Sequence, residues 1–525
     1  MEYIKGTDRQ QIQLLSLEQM VHPQSFARII DAYVDMLDLR PFNFKHLATK
    51  AEDRTKKQTK LPFNPADLLK LYLFGYQSGV RSCRKLAYAC QANIEVMWLI
   101  KGLTPHYKTI ADFRKDNKQA FRKVFRHFVA ILKDWELIEG KTIGIDSFKI
   151  RAQNALKNNY NQKKIDRHQK YIDTKVDEYL AELDQAEKQH HKEKQEALKQ
   201  KLEVKEQQKE KFNKLQAQLD NSEAEQISTT DPDAKAVVFQ RNAVKVGYNV
   251  QAASDAKHKL LVAMDTGDVN DTKALKAMTD LVSENLEIKT YDVIADKGYH
   301  SGSELKEVQA KGISTYVSPK ESSSTKKNPA YAITAFTYNE KEDSYTCPQA
   351  ESLTTNGNWY NKKPGSNRKT YKVKHYKTKA CNTGCAVRDL CTKNKNGRYI
   401  ERTEYQPYIN ENNNNVNTNK DYYRTRQQII EHQFGTIKRQ WHFDYLLLKG
   451  KEKVLAEVSI VFTAYNLRRC VSILSFDGLM SKLKAHFEPF LQVLLLCWLT
   501  KVVKRNKISA AVMTRSGSYV KNYYI

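Results

Sequence analysis

"KTIGIDSFKI", residues 141–150, marks a change of period in this chain. Ile143 and Ile145 fall on one side of an extended backbone and Asp146 on the other, the alternation of a β-strand. From about His22 to Glu136 the spacing is helical instead. "SFARIIDAYVDMLDL" is amphipathic, and "PFNPADLLKLYLFGY" opens with Asn64 as N-cap and Pro65 at the first helical position. "SCRKLAYACQ" and "NIEVMWLI" predict short helices, and "IADFRKDNKQAFRKVFRHFVAILKDW" a longer one. The basic faces of this block suit DNA, and plain helical packing explains them equally well.

Downstream of the strand, Asn154 to Glu225 consists mostly of Lys, Glu, Gln, Ala and Leu, with no Gly or Pro. That composition predicts long helices, arranged as an antiparallel hairpin with little apolar seam and projecting as an arm toward DNA or a partner. Strands resume in "VKVGYNVQAAS" and "KLLVAMDTG". A helix in "DTKALKAMTDLVSENL", a strand in "YDVIADKGY", a helix in "SGSELKEVQAKG" and a strand in "ISTYVSP" follow. Residues 322–420 are polar and carry cysteines. Then comes "IIEHQFGTIKRQW", residues 429–441, where Ile430, Phe434, Ile437 and Trp441 form one helical stripe. Glu431 and Lys438, seven residues apart, would share a face beside that stripe. The apolar helix "VLAEVSIVFTAYNLRRCVSIL" and a basic tail end the chain.

Three strands, helix, strand, helix, strand and a terminal helix describe an α/β sheet of mixed strand direction, interrupted twice. The order is that of an RNase H-like core, although other α/β folds share it. The expected division is a helical N-terminal domain for DNA binding or dimerisation over 1–138 and a catalytic domain over 139–475. The catalytic domain would carry a helical insertion at 154–225 and a Cys-containing one at 322–420. A helical, basic tail would occupy 476–525, its end frayed and solvated.

The chain has 525 residues with 87 Lys and Arg against 60 Asp and Glu, a formal charge of +27. A surface so positive attracts polyanions over long range, which makes nucleic acid the natural partner. The N-terminus lacks the apolar core of a signal peptide, and the longest apolar run, "FLQVLLLCWL" from Phe490, is about half a bilayer span. Eight cysteines in a chain of this size do not suggest a secreted disulfide scaffold. The expectation is therefore a protein of the reducing cytoplasm.

Three acids stand out. Asp146 lies within its strand, Asp296 where "YDVIAD" leaves the sheet, and Glu431 on the late helix. Strand ends are where open α/β sheets collect ligands, although a lone Asp there is usually a turn or cap. Hard divalent cations need several carboxylate oxygens, and two such ions can clamp the attacking and leaving oxygens of a phosphodiester. Three clustered carboxylates without cations would repel one another and take up protons. The residue types suit metal-assisted phosphoryl transfer.

These stretches, with "TTDPDAK", "VGYNVQAASD" and the N-terminal "PFNPADLLKLYLFGYQSGVRSCRKLAYAC", resemble a DDE transposase of a bacterial insertion sequence, most like its branch eleven-eighty-two. The similarity runs from about His22 to Leu474. The resemblance implies that Asp146, Asp296 and Glu431 are the catalytic triad, holding two Mg2+ ions that Mn2+ could replace. It implies that Lys438 contacts DNA phosphate, and Arg424, Arg426 and Arg439 cluster with it. It also implies binding of transposon inverted repeats and target DNA by a homodimer, in association with the nucleoid. Two departures are visible. The related signature has an arginine four residues before the glutamate, where this chain has Gln427, and relatives often carry proline where it has Gln433. Asp231 and Asp233 in "DPDAK" read as turn residues and "GYNVQAASD" as a core strand.

Cys347, Cys381, Cys385 and Cys391 share the polar insertion and are candidate ligands of a tetrahedral Zn2+, with free structural cysteines as the competing reading. Cys83, Cys90, Cys470 and Cys497 lie in apolar helices and are expected in the core. A host nuclease with the same core, and an inactive DNA-binding relic that represses the element, remain alternatives at this stage.

Overall fold

The computed structural model describes residues 10–517 except 11, 13, 46–61, 223–224, 240–241, 321–328, 364–369 and 382, with side chains as far as residue 486. Two compact units emerge, one of Met1–Val124 with Ile460–Ile525 and the other of Phe125–Ser459.

The first unit is helical. Its main elements are α1 (Phe26–Asp35), α2 (Pro65–Gln77), α3 (Cys83–Ala92), α4 (Ile94–Leu99) and α5 (Tyr107–Asp116). Asn64 caps α2 by accepting from the Ala66 N–H at 3.0 Å, with Pro65 in the first turn. Helix α2 is buried almost all round, so Lys70 in its middle has no route to water. Its ammonium instead meets Asp31 at 2.7 Å and Asp35 at 2.5 Å on α1, the pairing a buried charge requires. The long helix expected through "IADFRKDNKQAFRKV" is broken: α5 stops at Asp116 and α6 spans Lys118–Asp134. Between them, buried Asn117 donates to the Phe113 carbonyl at 2.8 Å and accepts from the Lys45 N–H at 2.7 Å. A side chain that bonds nearby backbone in this way competes with helix continuation.

The second unit is built on one sheet. Its strands are β1 (Thr142–Arg151), β2 (Lys235–Val238), β3 (Val244–Asp255), β4 (Leu261–Gly267), β5 (Asp292–Ala295) and β6 (Ser314–Val317). β1 runs antiparallel to β3 on one side and parallel to β5 on the other, and β5 runs parallel to β6. β2 and β4 share the far edge of β3. The mixed sheet is therefore as expected, with helices α9 (Leu275–Leu286) and α10 (Gly302–Gln309) in the crossovers that parallel strands need. It is consistent with an RNase H-like core.

The first insertion is a helical hairpin of α7 (Gln162–Lys188) and α8 (Lys192–Asp220). Its seam is short but real: Tyr160, Ile165, Ile172, Phe212, Leu215 and Leu219 form one buried cluster near the base. The second insertion holds two three-stranded sheets, Thr337–Asn339 with Ser344–Thr346 and Ser352–Leu353, and Tyr360–Lys362 with Tyr371–Lys377 and Tyr399–Thr403. Its last part is not an insertion in the packing sense. Residues Gln406–Thr418 form α11, which lies on β6, where buried Asn412 accepts from the Val317 N–H at 2.8 Å and donates to its carbonyl at 2.7 Å.

Helix α12 (Arg426–Gly435) crosses β1 at Gly144, where a Cβ would stand 2.8 Å from the Ile429 side chain. The final helix α13 runs from Lys451 to Gly517 with a non-helical residue at Ser475. No helix among the described residues is long and apolar enough to cross a membrane. Cys90 and Cys470 are buried as expected and Cys83 is partly so; the Cys497 side chain and the last eight residues lie outside the described residues.

Candidate active site

Parallel pairing of β1 with β5 sets Ile145 opposite Ala295, so Asp146, midway along β1, lies beside Asp296, the first residue after β5. Asp146 leaves its strand on the face that carries Gly144 and Phe148, and α12 covers that face. Ile429 closes on Gly144, and the Phe434 ring lies 4.6 Å from that of Phe148. This packing places Glu431 on the face of the sheet that carries Asp146. Gln433 pins the helix from its buried side, donating to Ser254 Oγ at 2.5 Å and to the carbonyls of Ile429 at 2.6 Å and Lys259 at 3.0 Å. A proline could make none of these bonds.

One guanidinium joins two of the acids. Arg426 donates to Asp146 Oδ2 at 3.2 Å, and its other terminal nitrogen is 3.8 Å from Glu431 Oε1. Asp146 Oδ1 accepts from the Ser147 N–H at 2.7 Å, and Asp296 Oδ1 accepts from the Gly298 N–H at 2.7 Å. Burial pushes the Asp146 carboxyl up to about 6, with the charges of Asp296 and Asp271 adding to the effect and Ser147 and Arg426 opposing it. Crowding of carboxylates around one arginine is the electrostatics of a site that would gain from a further cation. Among the described residues, however, no group of three or more His, Cys, Asp or Glu stands ready to hold a metal ion.

Family models match two stretches of the chain: a transposase DDE domain over residues 224–467, and a transposase domain (DUF772) over residues 15–116. The chain belongs to the DDE transposases of insertion sequences. No curated protein and no solved structure matches it. Asp296 and Glu431 of this transposase fall inside the DDE match, while Asp146 and the α7–α8 arm precede it.

The other residues singled out in the sequence are spread around this centre. Arg424 is exposed and pairs with Asp421 at 2.9 Å, and Arg439 is exposed. Lys438 does not extend along the Glu431 face. The α-helix gives way at Gly435 to a π-turn over Thr436–Gln440, which changes the phase of the residues after it. The half-buried Lys438 ammonium donates to the Lys149 carbonyl at 3.3 Å, and burial lowers its pKa. Asp231 and Asp233 stand apart from the acids, accepting from the backbone N–H groups of Gly450 at 3.1 Å and Lys451 at 2.7 Å.

The transposase has a further acid that sequence reading missed. Asp271 Oδ1 accepts from Asn249 at 2.8 Å and Gln251 at 2.7 Å, while the Tyr299 hydroxyl donates to Gln251. A Cβ at Gly298 would stand 2.8 Å from Asp296 Oδ1 and 3.2 Å from Asp271 Oδ2, so only glycine fits between the two carboxylates without a shift. The signal was present in "GYNVQAASD": two amides two residues apart in an otherwise buried strand need a partner on one face.

Proposed function

We propose that this transposase cuts DNA at the ends of its element and joins the freed 3'-hydroxyl to target DNA, with Asp146, Asp296 and Glu431 as its catalytic carboxylates. The observation that supports the reading is Arg426, which donates to Asp146 and lies 3.8 Å from Glu431, while Asp146 and Asp296 stand on paired strands close enough for their charges to act on each other. Carboxylate oxygens are the donors that hard divalent cations such as Mg2+ take, and loading would have to draw the three acids together, relieving the burial and like charge that push Asp146 up to about 6. Two such ions would polarise the scissile phosphate and favour the attacking and leaving oxygens as anions.

The protein's own contribution is placement and charge. In the first step a water oxygen attacks phosphorus and the bond to the 3'-oxygen breaks. In the second, that 3'-oxygen attacks a target phosphodiester and displaces another. β1 and β5 fix two carboxylates rigidly, and α12 presents the third from a helix locked by Gln433. Arg426 holds Asp146 and Glu431 in place before the cations arrive, so we assign it to the centre, and exposed Arg424 and Arg439 to phosphate contact. Lys438 joins them by leaving the Lys149 carbonyl for a phosphate. Synapsis of two ends would require a dimer on DNA.

Each of Asp146→Ala, Asp296→Ala and Glu431→Ala should reduce cleavage of a duplex carrying the element's own inverted repeat by at least about a thousandfold. Binding of the same duplex should be unchanged or tighter, because a negative charge near phosphate is gone. A triple variant that still cuts would overturn the assignment.

A further inference from the structure

The second insertion has little to hold it together. Its buried apolar cluster comprises Phe336, Tyr345, Leu353, Tyr376 and Ile400, few for a segment of this length, and Cys347 and Cys391 pack against that cluster. Cys347, Cys381, Cys385 and Cys391, drawn from two separate segments, line one cavity of about 20 Å³, room for one water or one ion.

The local backbone around Cys347 is equally specific. Strand Ser344–Thr346 ends at Cys347, whose carbonyl accepts from the Ala350 N–H at 2.9 Å. Ala350 adopts φ 61°, a left-handed conformation that closes a tight turn. Within this turn the Gln349 N–H points at Cys347 Sγ, 3.3 Å away. A neutral thiol is a poor acceptor, whereas a thiolate gains from a backbone N–H aimed at it.

We propose that these four cysteines bind one structural Zn2+, which ties the two small sheets of the insertion together. The sulfurs share the cavity without standing at ligating separation, so loading would draw them in to about 2.3 Å from the ion. The four thiols would release their protons on binding, and no redox step is involved. The proposal is independent of the carboxylate centre and of the reaction assigned to it.

The test uses the full-length protein, purified under reducing conditions, desalted and measured for metal by plasma mass spectrometry. About one zinc per chain is expected, released by a mercurial thiol reagent. Cys381→Ser combined with Cys385→Ser should lower the zinc content at least about tenfold, whereas Cys83→Ser should leave it unchanged. Because the double variant could misfold, Co2+ exchange into the unaltered protein is the second measurement, and a thiolate-to-cobalt absorption band is expected. Unaltered protein without zinc and without that band, iron in place of zinc, a disulfide among the four, or a double variant that keeps its zinc would each overturn the proposal.

Discussion

Arg426 stands one residue further from Glu431 than the arginine of the related signature, yet it reaches the centre because it begins α12 and its side chain is long. Gln427 in the signature position therefore does not remove the positive charge from the site. The same crowding makes Asp146 informative about pH. Its carboxyl ionises at about 6 in the folded chain, above its unfolded value of 3.8. Below the unfolded value both states carry the proton and the group has no effect on stability. As pH rises through the interval, the unfolded chain loses the proton first, so stability falls and the loss is complete above about 6. Without divalent cations, Asp146→Asn should therefore stabilise the protein by about 2–3 kcal/mol at about pH 8, and not at about pH 3.5. Chemical denaturation at the two pH values in a chelator checks this. Equal stability of the variant and the unaltered protein at the higher pH would mean that the carboxylate is not strained by its neighbours.

Among the elements, periodicity decided what was legible. β1, β3, β5 and the helices between them announce themselves by alternation or by an apolar stripe, and those patterns place Asp146 within its strand and Asp296 at the end of the next. Helix α11 could not, because "NENNNNVNT" has poor helix propensity and is held by tertiary bonds such as Asn412 to the Val317 backbone. The π-turn was equally hidden: a stripe of Ile430, Phe434, Ile437 and Trp441 is compatible with one regular helix, and nothing in those residues gives away the changed winding that turns Lys438 aside. Asp271 escaped because its significance lies in partners from another strand. The arm's composition predicts its helices but not its seam, where five buried side chains from the two helices gather with Tyr160, which precedes α7. Phe212, 8 % exposed in that cluster and stacked on His168, should carry much of the docking of α8 on α7. Phe212→Ala should cost about 3 kcal/mol locally and open the arm to trypsin, whose sites crowd α8. Time courses of limited digestion, followed by mass spectrometry, should show faster cutting within Lys192–Asp220 and unaltered cutting elsewhere. An unchanged rate there would mean that the cluster does not hold the hairpin closed.

For the whole molecule, the question is how the +27 charge is used. The basic residues assigned beside the centre are few. Arg424, Lys438 and Arg439, at one phosphate each, account for a log–log salt slope of only about −3, because each neutralised phosphate contributes roughly 0.9. The excess charge is not confined to α12. Basic residues outnumber acids on α3 and on α6. If these surfaces also meet phosphates, the slope for binding an end-containing duplex should be at least about −5, corresponding to six or more contacts. Affinity would then drop by roughly a thousandfold or more between about 50 and 200 mM salt. Replacing Arg424 and Arg439 together by alanine should reduce the slope by about 1.8 and leave most of it in place. The measurement is fluorescence anisotropy over a salt series with and without the two substitutions. A slope near −3 that falls to about −1 in the double variant would confine DNA to the neighbourhood of the Glu431 helix and leave the remaining positive charge without a role in end binding.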